Sequence, residues 1–135
     1  SLNIGIQYKM SDIVNKFIYV FKSLIENIKL LCPKNSIINN NANLIDSFVN
    51  NNKDLIIRIY CAKVLIYEVA FNKDPNEFLL THDFGEDFKE LNEVPIDQIF
   101  TFKNIWNSLS DENKNILINY IKGLNKLAHK YIDSD

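Results

Sequence analysis

The segment from Ser110 to Ile132 is the part of this chain whose structure is most constrained by its sequence. Ser110 is a typical N-cap residue, because its hydroxyl can accept a hydrogen bond from a backbone N–H of the first helical turn. Lys126 and Lys130 lie near the predicted end of the helix, where positive charge complements the helix dipole. Apolar side chains recur at intervals of three and four residues, the spacing of one buried helical face: Leu117, Tyr120, Ile121, Leu124, Leu127, Ala128 and Tyr131. The segment predicts a long amphipathic helix and indicates no catalytic activity.

A second constraint comes from the run between Lys53 and Phe71, which is apolar on nearly every side of a helical wheel. A helix of that kind requires burial against several neighbours. The run is rich in β-branched residues, but 19 residues without a turn signal are too many for one strand. We therefore expect an all-α bundle of about five to seven helices around a central apolar helix over about 53–71. A length of 135 residues predicts a single helical domain over 1–135.

Further helix boundaries follow from start and stop signals. Asp74 is a predicted N-cap, and Pro75 suits the first helical position because its missing N–H has no partner there. We expect Gly85 to end that run and Gly123, in the middle of the last helix, to mark a close approach of another helix. The other predicted helices are Asp12–Leu31 capped by Ser11, Asn43–Asn50 after a polar connection over 34–43, and Pro95–Leu109.

The composition excludes several classes of function. A hydrophobic content of 47% with 24% charged residues is that of an ordinary globular protein. The net charge is −2, and the basic residues are 14 Lys with a single Arg, Arg58, which disfavours sequence-specific DNA reading. Cys32 and Cys61 do not make a disulfide framework, so we expect free thiols and a cytoplasmic location. We see neither a signal peptide nor an apolar run long enough for a membrane span.

Two charged surfaces are candidates for binding a partner. An acidic stretch contains Asp83, Glu86, Asp87 and Glu90, which on a helix would place several carboxylates on a common face. The last helix has a basic edge formed by Lys122, Lys126 and Lys130. The acidic face would suit a basic partner, and the basic edge could touch phosphates non-specifically. A solvated helix face explains each pattern equally well.

No catalytic or metal-binding motif is present in the sequence. There is no close pair of Cys or His ligands of the kind that zinc sites use, no glycine-rich phosphate loop and no nucleophile elbow. We therefore expect a protein that is not an enzyme and that holds no cofactor and no metal. The alternative is an enzyme whose site is assembled from scattered residues such as His82, Asp83, Glu86 and Asp87.

The C-terminal segment also resembles a known group of proteins. It contains Ile105-Trp106, Leu109-Ser110 and Glu112-Asn113-Lys114, followed by Tyr120 and Leu124. This pattern is similar to a segment of small helical proteins from giant nucleocytoplasmic DNA viruses, where I-W-x-x-L-S-x-E-N-K precedes an aromatic-leucine helix. The surplus of Asn, Ile and Lys, whose codons are AT-rich, fits such a source. The second tryptophan often found in the final helix of those proteins is absent. The resemblance implies a viral accessory or virion-associated role in host cytoplasm.

These observations favour a non-enzymatic helical protein that acts through protein–protein contact, as a subunit or as a homo-oligomer. The alternative function is weak, non-specific binding of nucleic acid through the Lys edge of the last helix. The sequence does not identify the partner in either case.

Overall fold

The computed structural model describes residues 2–32, 36–92, 96 and 102–134, without the side chains of 2–8, 36, 37 and 104. These residues form α-helices, two short 3-10 helices and turns, and they contain no β-strand. The prediction of an all-α fold is confirmed. Buried apolar side chains from every described helix join in one hydrophobic cluster.

From α2 to α6 the helices follow one another with short connections. In chain order the α-helices are α1 (Leu2–Leu31), α2 (Ser36–Asn51), α3 (Lys53–Lys63), α4 (Glu68–Lys73), α5 (Pro75–Thr81), α6 (Phe84–Asp87), α7 (Phe102–Ile105) and α8 (Asp111–Asp133). The 3-10 helices are Leu65–Tyr67, between α3 and α4, and Trp106–Ser108, between α7 and α8. Among the described elements α1 packs against α2, α3 and α8, and its interface with α8 is the most extensive.

The first helix is longer than its sequence pattern predicted. Its buried side chains are spaced three or four residues apart, and they include Phe17, Phe21 and Leu24. A helix over Asp12–Leu31 is thus confirmed, but it begins at Leu2, so Ser11 lies in its interior and is not an N-cap. A serine caps a helix only where the preceding backbone leaves helical geometry, and here the helix continues on both sides of it.

α2 includes the predicted helix over Asn43–Asn50, but its first half occupies a region that was predicted to be a polar connection. The helix runs over Ser36–Asn51, so the predicted connection over 34–43 is wrong from residue 36 onward. The reason lies in the spacing of the residues that face inward, Ile38, Ala42, Ile45 and Val49, at intervals of four, three and four. Burial of this face outweighs the low helix propensity of the intervening asparagines.

The apolar run over 53–71 is divided in two. α3 packs against α1, α2, α6 and α8, which agrees with the central position predicted for it. Ile66 within the 3-10 helix, however, is 65% exposed, and Val69 after it is 84% exposed. The prediction that this surface is covered on all sides is wrong there. A 3-10 helix has three residues per turn instead of 3.6, so it rotates the following side chains away from the stripe of α3.

The start of α5 follows its sequence signal. Asp74 Oδ1 accepts a hydrogen bond from the backbone N–H of Glu77 at 3.1 Å, and Pro75 is the first helical residue. The end differs from the prediction, because α5 stops at Thr81 and Gly85 lies inside α6. Asp83 accepts a hydrogen bond from the Glu86 N–H at 3.2 Å and so caps a new helix before the glycine is reached.

The predicted helix over Pro95–Leu109 lies partly outside the described residues. Its described part contains the buried Ile96, α7, the 3-10 helix Trp106–Ser108 and Leu109. Both α7 and the 3-10 helix pack against α5. Trp106 is only 2% exposed and belongs to the hydrophobic core. The ammonium group of Lys114 lies over its ring, 5.8 Å from the centroid.

α8 has the cap and the buried face that the sequence predicted. Ser110 Oγ accepts a hydrogen bond from the Asn113 N–H at 3.2 Å. Leu117, Ile121 and Leu124 are buried. α8 also contacts the 53–71 run, since Tyr60 of α3 donates a hydrogen bond to Asn125 of α8.

Gly123 does not have the role predicted for it. A Cβ atom built on Gly123 would meet no described atom within 4 Å beyond its own helix and chain neighbours. The expected close approach of a second helix is therefore wrong. The glycine lies on a side of α8 where a larger side chain has room.

Candidate functional site

An open groove of about 450 Å³ lies between α1 and α2, and Tyr120 of α8 is among the residues that line it. Its floor is apolar. The floor consists of buried aliphatic side chains from both helices: Ile25, Ile38, Ile45 and Val49. Apolar side chains that fill a groove of this kind lose contact with water, which is favourable by about 25 cal/mol per Å². The groove can therefore bind an apolar group.

A polar bridge crosses from one wall of the groove to the other. Lys22 Nζ of α1 lies 2.8 Å from Asp46 Oδ1 of α2 and donates a hydrogen bond to Asn50 Oδ1 at 3.0 Å. Asn50 Nδ2 in turn donates to Asp46 Oδ2 at 3.2 Å. These three side chains hold the two helices at a defined separation. They also neutralise Asp46.

The groove lining includes a contact with the last helix. Asn27 Nδ2 donates a hydrogen bond to the Tyr120 hydroxyl oxygen at 2.6 Å and a second to the backbone carbonyl of Ser23 at 2.9 Å. Both side chains are only partly buried. The bond ties α1 to α8 and sets the position of the Tyr120 ring in the groove lining.

The outer rim on α1 carries a charge and an aromatic ring. Glu26 lines the groove, is exposed, and has no ion pair or hydrogen bond with another described side chain. With Lys22 and Asp46 paired, Glu26 leaves the groove with a net charge of −1. Tyr19, also a lining residue, is 74% exposed. Leu30 continues the same side of α1 and is 75% exposed.

The sequence reasoning missed this groove. A signal was present, because Ile38, Ala42, Ile45 and Val49 have the spacing of a buried helical face. The asparagine run at 39–41, however, is typical of a polar connection, because asparagine has a low helix propensity. No feature of the sequence alone places Tyr120 in the lining of a groove formed by two distant helices.

The predicted acidic face is divided by the structure. Asp87 is buried and directed toward His82, while the other three carboxylates are exposed. Each of those three has a basic neighbour: Asp83 has Lys103 at 3.5 Å, Glu86 has Lys89 at 2.6 Å and Glu90 has Lys63 at 3.8 Å. The expectation of a common face is therefore wrong for Asp87, because α6 ends at that residue and the side chain turns into the core. The backbone N–H of Glu86 also holds the pKa of Asp83 below its ordinary value.

His82 and Asp87 form a close pair in an aromatic environment. His82 Nε2 lies 2.6 Å from Asp87 Oδ2, and the two side chains are only 15% and 10% exposed. The imidazole stacks on Phe78, with ring centroids 4.5 Å apart, and meets the edge of Phe84 at 4.8 Å. Burial raises the pKa of the Asp87 carboxyl, although the bond to His82 acts in the opposite direction. The structure thus brings together two of the residues of the enzyme alternative, His82 and Asp87.

The Lys edge of the last helix is present as predicted. Lys122, Lys126 and Lys130 are exposed at intervals of four residues on α8, and no ion pair joins any of them to a described side chain. His129, on the neighbouring part of the surface, lies 2.6 Å from Glu68 Oε1 of α4. The basic edge therefore consists of these three lysines.

Neither cysteine is engaged in a disulfide, and both lie at partly buried positions. Burial raises the pKa of each thiol. Cys61 lies against α8, where its thiol is 3.9 Å from the carbonyl oxygen of Ala128. Within the described parts of the chain, no three or more His, Cys, Asp or Glu side chains are grouped so that they could hold a metal ion.

Comparisons with known proteins do not assign the chain to a family. No family model, curated protein or solved structure matches the chain. The resemblance of the C-terminal segment to small proteins of giant DNA viruses stays a prediction. Of the helices that the structure describes, none has the length and hydrophobicity needed to traverse a bilayer.

Proposed function

We propose that the protein is a non-enzymatic protein-binding module and that the groove between α1 and α2 receives apolar side chains of a partner protein. The observation that supports this is the apolar floor formed by Ile25, Ile38, Ile45 and Val49 beneath an open, partly polar rim. Recognition grooves commonly combine an apolar interior, which supplies affinity, with a polar rim that selects the partner.

A protein partner suits the groove better than a small ligand does. Small-molecule sites enclose most of the ligand surface, whereas this groove is only partly enclosed. Tyr19 on the rim is 74% exposed, and tyrosine is enriched at protein interfaces because its ring offers a large contact area with little loss of entropy. A partner that covers the groove would also cover this ring.

The test is to fill the groove with a larger side chain and to measure whether peptide binding is lost. Ala42 lines the groove, and Ala42→Phe places a ring in it, while Asn43→Phe places the same ring at the adjacent exposed position, which does not line it. A phage-displayed library of random 16-residue peptides is selected on the unmodified protein. We expect the enriched peptides to lose at least tenfold in affinity for Ala42→Phe and to keep their affinity for Asn43→Phe.

The proposal fails if no peptide is enriched, or if the enriched peptides bind Ala42→Phe and the unmodified protein equally well. Thermal melts test whether both variants are folded. If Ala42→Phe does not fold, it is replaced by Ala42→Leu, which occupies less space.

A second candidate function is weak, non-specific binding of nucleic acid by Lys122, Lys126 and Lys130. It is supported by the regular spacing of these exposed lysines on α8, without ion pairs to other described side chains. The net charge of −2 opposes it, since no overall field draws the chain to phosphates. Any such binding must arise from this local edge.

Changing the three lysines together to Glu, with a control of equal net charge, distinguishes binding by the basic edge from an effect of the overall charge. A matched control changes Lys9, Lys16 and Lys73, which are also exposed, to Glu. It therefore alters the net charge by the same amount. We expect the first triple variant to abolish binding of a 30-base single-stranded DNA, the control to retain it, and native affinity to fall steeply with salt. Affinity independent of salt, or no binding at all, would exclude this function.

A further inference from the structure

The rim of the groove on α1 presents a pattern of apolar, acidic and apolar side chains along one side of the helix. Tyr19, Glu26 and Leu30 are separated by seven and four residues, so they lie on one side of α1. The distance from Tyr19 to Leu30 along the helix is about 16 Å, or about three turns. The two ends of the pattern are exposed apolar groups, at 74% and 75%, and the middle carries a carboxylate.

Resting on the function proposed above, we infer that the partner contributes an amphipathic α-helix with a Lys or Arg near its centre. The basic residue would pair with Glu26, and apolar residues about one to two turns away would contact Tyr19, Leu30 and the groove floor. The inference is carried by charge complementarity, because the groove has a net charge of −1 and Glu26 has no described partner.

The geometry favours a helix over an extended peptide. An extended segment gains affinity by adding to an exposed sheet edge, and the described residues form no strand that could offer one. A groove between two helices instead accepts the side chains of a third helix, whose residues recur at intervals of three and four. The pattern on α1, with separations of seven and four residues, follows the same helical period.

The carboxylate of Glu26 also predicts which partner helices bind weakly. An acidic residue at the centre of the incoming helix would be placed beside Glu26, and like charges at an interface disfavour association. A neutral residue would neither gain nor lose this contribution. Exposed ion pairs contribute modestly, so the expected effect of one charge is about two- to fivefold in affinity.

The experiment uses three fluorescein-labelled, hydrocarbon-stapled 16-residue helices that share one leucine-rich face and differ only at the central position, which is Lys, Gln or Glu. Their affinities for the full chain are measured by fluorescence anisotropy. We expect the Lys peptide to bind about two- to fivefold more tightly than the Gln peptide, and the Glu peptide to bind more weakly still. Glu26→Gln should remove these differences and Glu26→Lys should reverse their order. Glu77→Gln on α5, which removes an exposed carboxylate far along the chain from the groove, should leave them unchanged.

Failure of the inference is distinguishable from failure of the proposed function. If all three peptides bind equally well and Ala42→Phe weakens each of them, the groove binds helices but does not select a basic one, and the inference is overturned alone. If no peptide binds, or Ala42→Phe has no effect on binding, both are overturned. If sedimentation shows a dimer of the chain that Ala42→Phe dissociates, the occupant is a second copy and the basic partner helix is overturned.

Discussion

The hydroxyl of Tyr60 donates a hydrogen bond of 2.6 Å to Asn125 Oδ1 in the interior of the protein. Tyr60 is 1% exposed and Asn125 is 4% exposed, so water cannot replace either partner. The bond joins α3 to α8, between apolar neighbours on both helices. A shift of either helix along the other would leave two buried polar groups without partners, so this pair helps to define their register.

Removal of the Tyr60 hydroxyl is expected to destabilise the protein. Tyr60→Phe keeps the ring but leaves the carbonyl oxygen of Asn125 buried without its donor, at a cost of about 1–3 kcal/mol. The double variant Tyr60→Phe with Asn125→Leu replaces both polar groups by apolar ones and should recover part of that loss. Chemical denaturation measures the free energy of unfolding of each variant. As a control, Tyr120→Phe at the partly buried Asn27 bond should cost less, since water can reach that site. Equal costs at the two tyrosines would contradict this account.

The effects of changing Trp106 and Ser110 should differ in a defined order. Trp106→Ala removes a side chain that is 2% exposed and leaves a cavity in the core, at a cost of about 3–5 kcal/mol. Ser110→Ala removes one capping hydrogen bond, from the Asn113 N–H, at a cost of about 1 kcal/mol. Thermal and urea denaturation of the two variants give the comparison. If Trp106→Ala kept the melting temperature of the unmodified protein but lost a binding partner, Trp106 would be a surface anchor instead of a core residue.

Gly123→Ala is expected to stabilise the protein. The added methyl group meets no described atom within 4 Å beyond the helix itself and its chain neighbours, so it causes no clash there. Alanine has a higher helix propensity than glycine, and the gain in an exposed helix interior is up to about 1 kcal/mol. A rise in melting temperature would confirm this expectation. A fall in melting temperature would contradict it.

Asp87→Asn should change the pH dependence of stability in a direction set by burial. The pKa of Asp87 is raised above the ordinary value of 3.8, chiefly by burial, so the folded state binds a proton more readily than the unfolded state does. The stability that this proton contributes is fully present below the unfolded pKa and is lost as pH rises through the folded pKa. We therefore expect the free energy of unfolding of the native protein, minus that of Asp87→Asn, to decrease as pH rises above 3.8.

Asp83→Asn is a control for which the difference in free energy of unfolding should change with pH in the opposite direction. The pKa of Asp83 is lowered, mainly by the hydrogen bond from the Glu86 N–H, so its contribution is present above 3.8 and is lost as pH falls. The corresponding difference for this variant should increase with pH. The same slope for both variants would mean that the bond to His82, and not burial, dominates at Asp87.

The all-α class, the cap at Ser110, the start of α5 at Asp74 and the buried face of α8 could all be read from the sequence. Each depends on residues within a few turns of one another, so spacing and capping chemistry are sufficient to predict them. The start of α1, the extent of α2 and the role of Gly123 were predicted incorrectly. For α2 burial against distant helices outweighs local propensity, and at Gly123 the expected neighbouring helix is not there among the described residues.

The candidate site required the tertiary structure. Its floor combines Ile25 of α1 with Ile45 and Val49 of α2, and its lining includes Tyr120, 93 residues from its hydrogen-bond partner Asn27. The sequence determined that these residues lie on helices, because local periodicity specifies which side of each helix is apolar. It could not specify which apolar faces meet or where a gap remains between them. That is decided by the packing of all the helices together, since a groove forms only where neighbouring helices do not pack closely along their whole length.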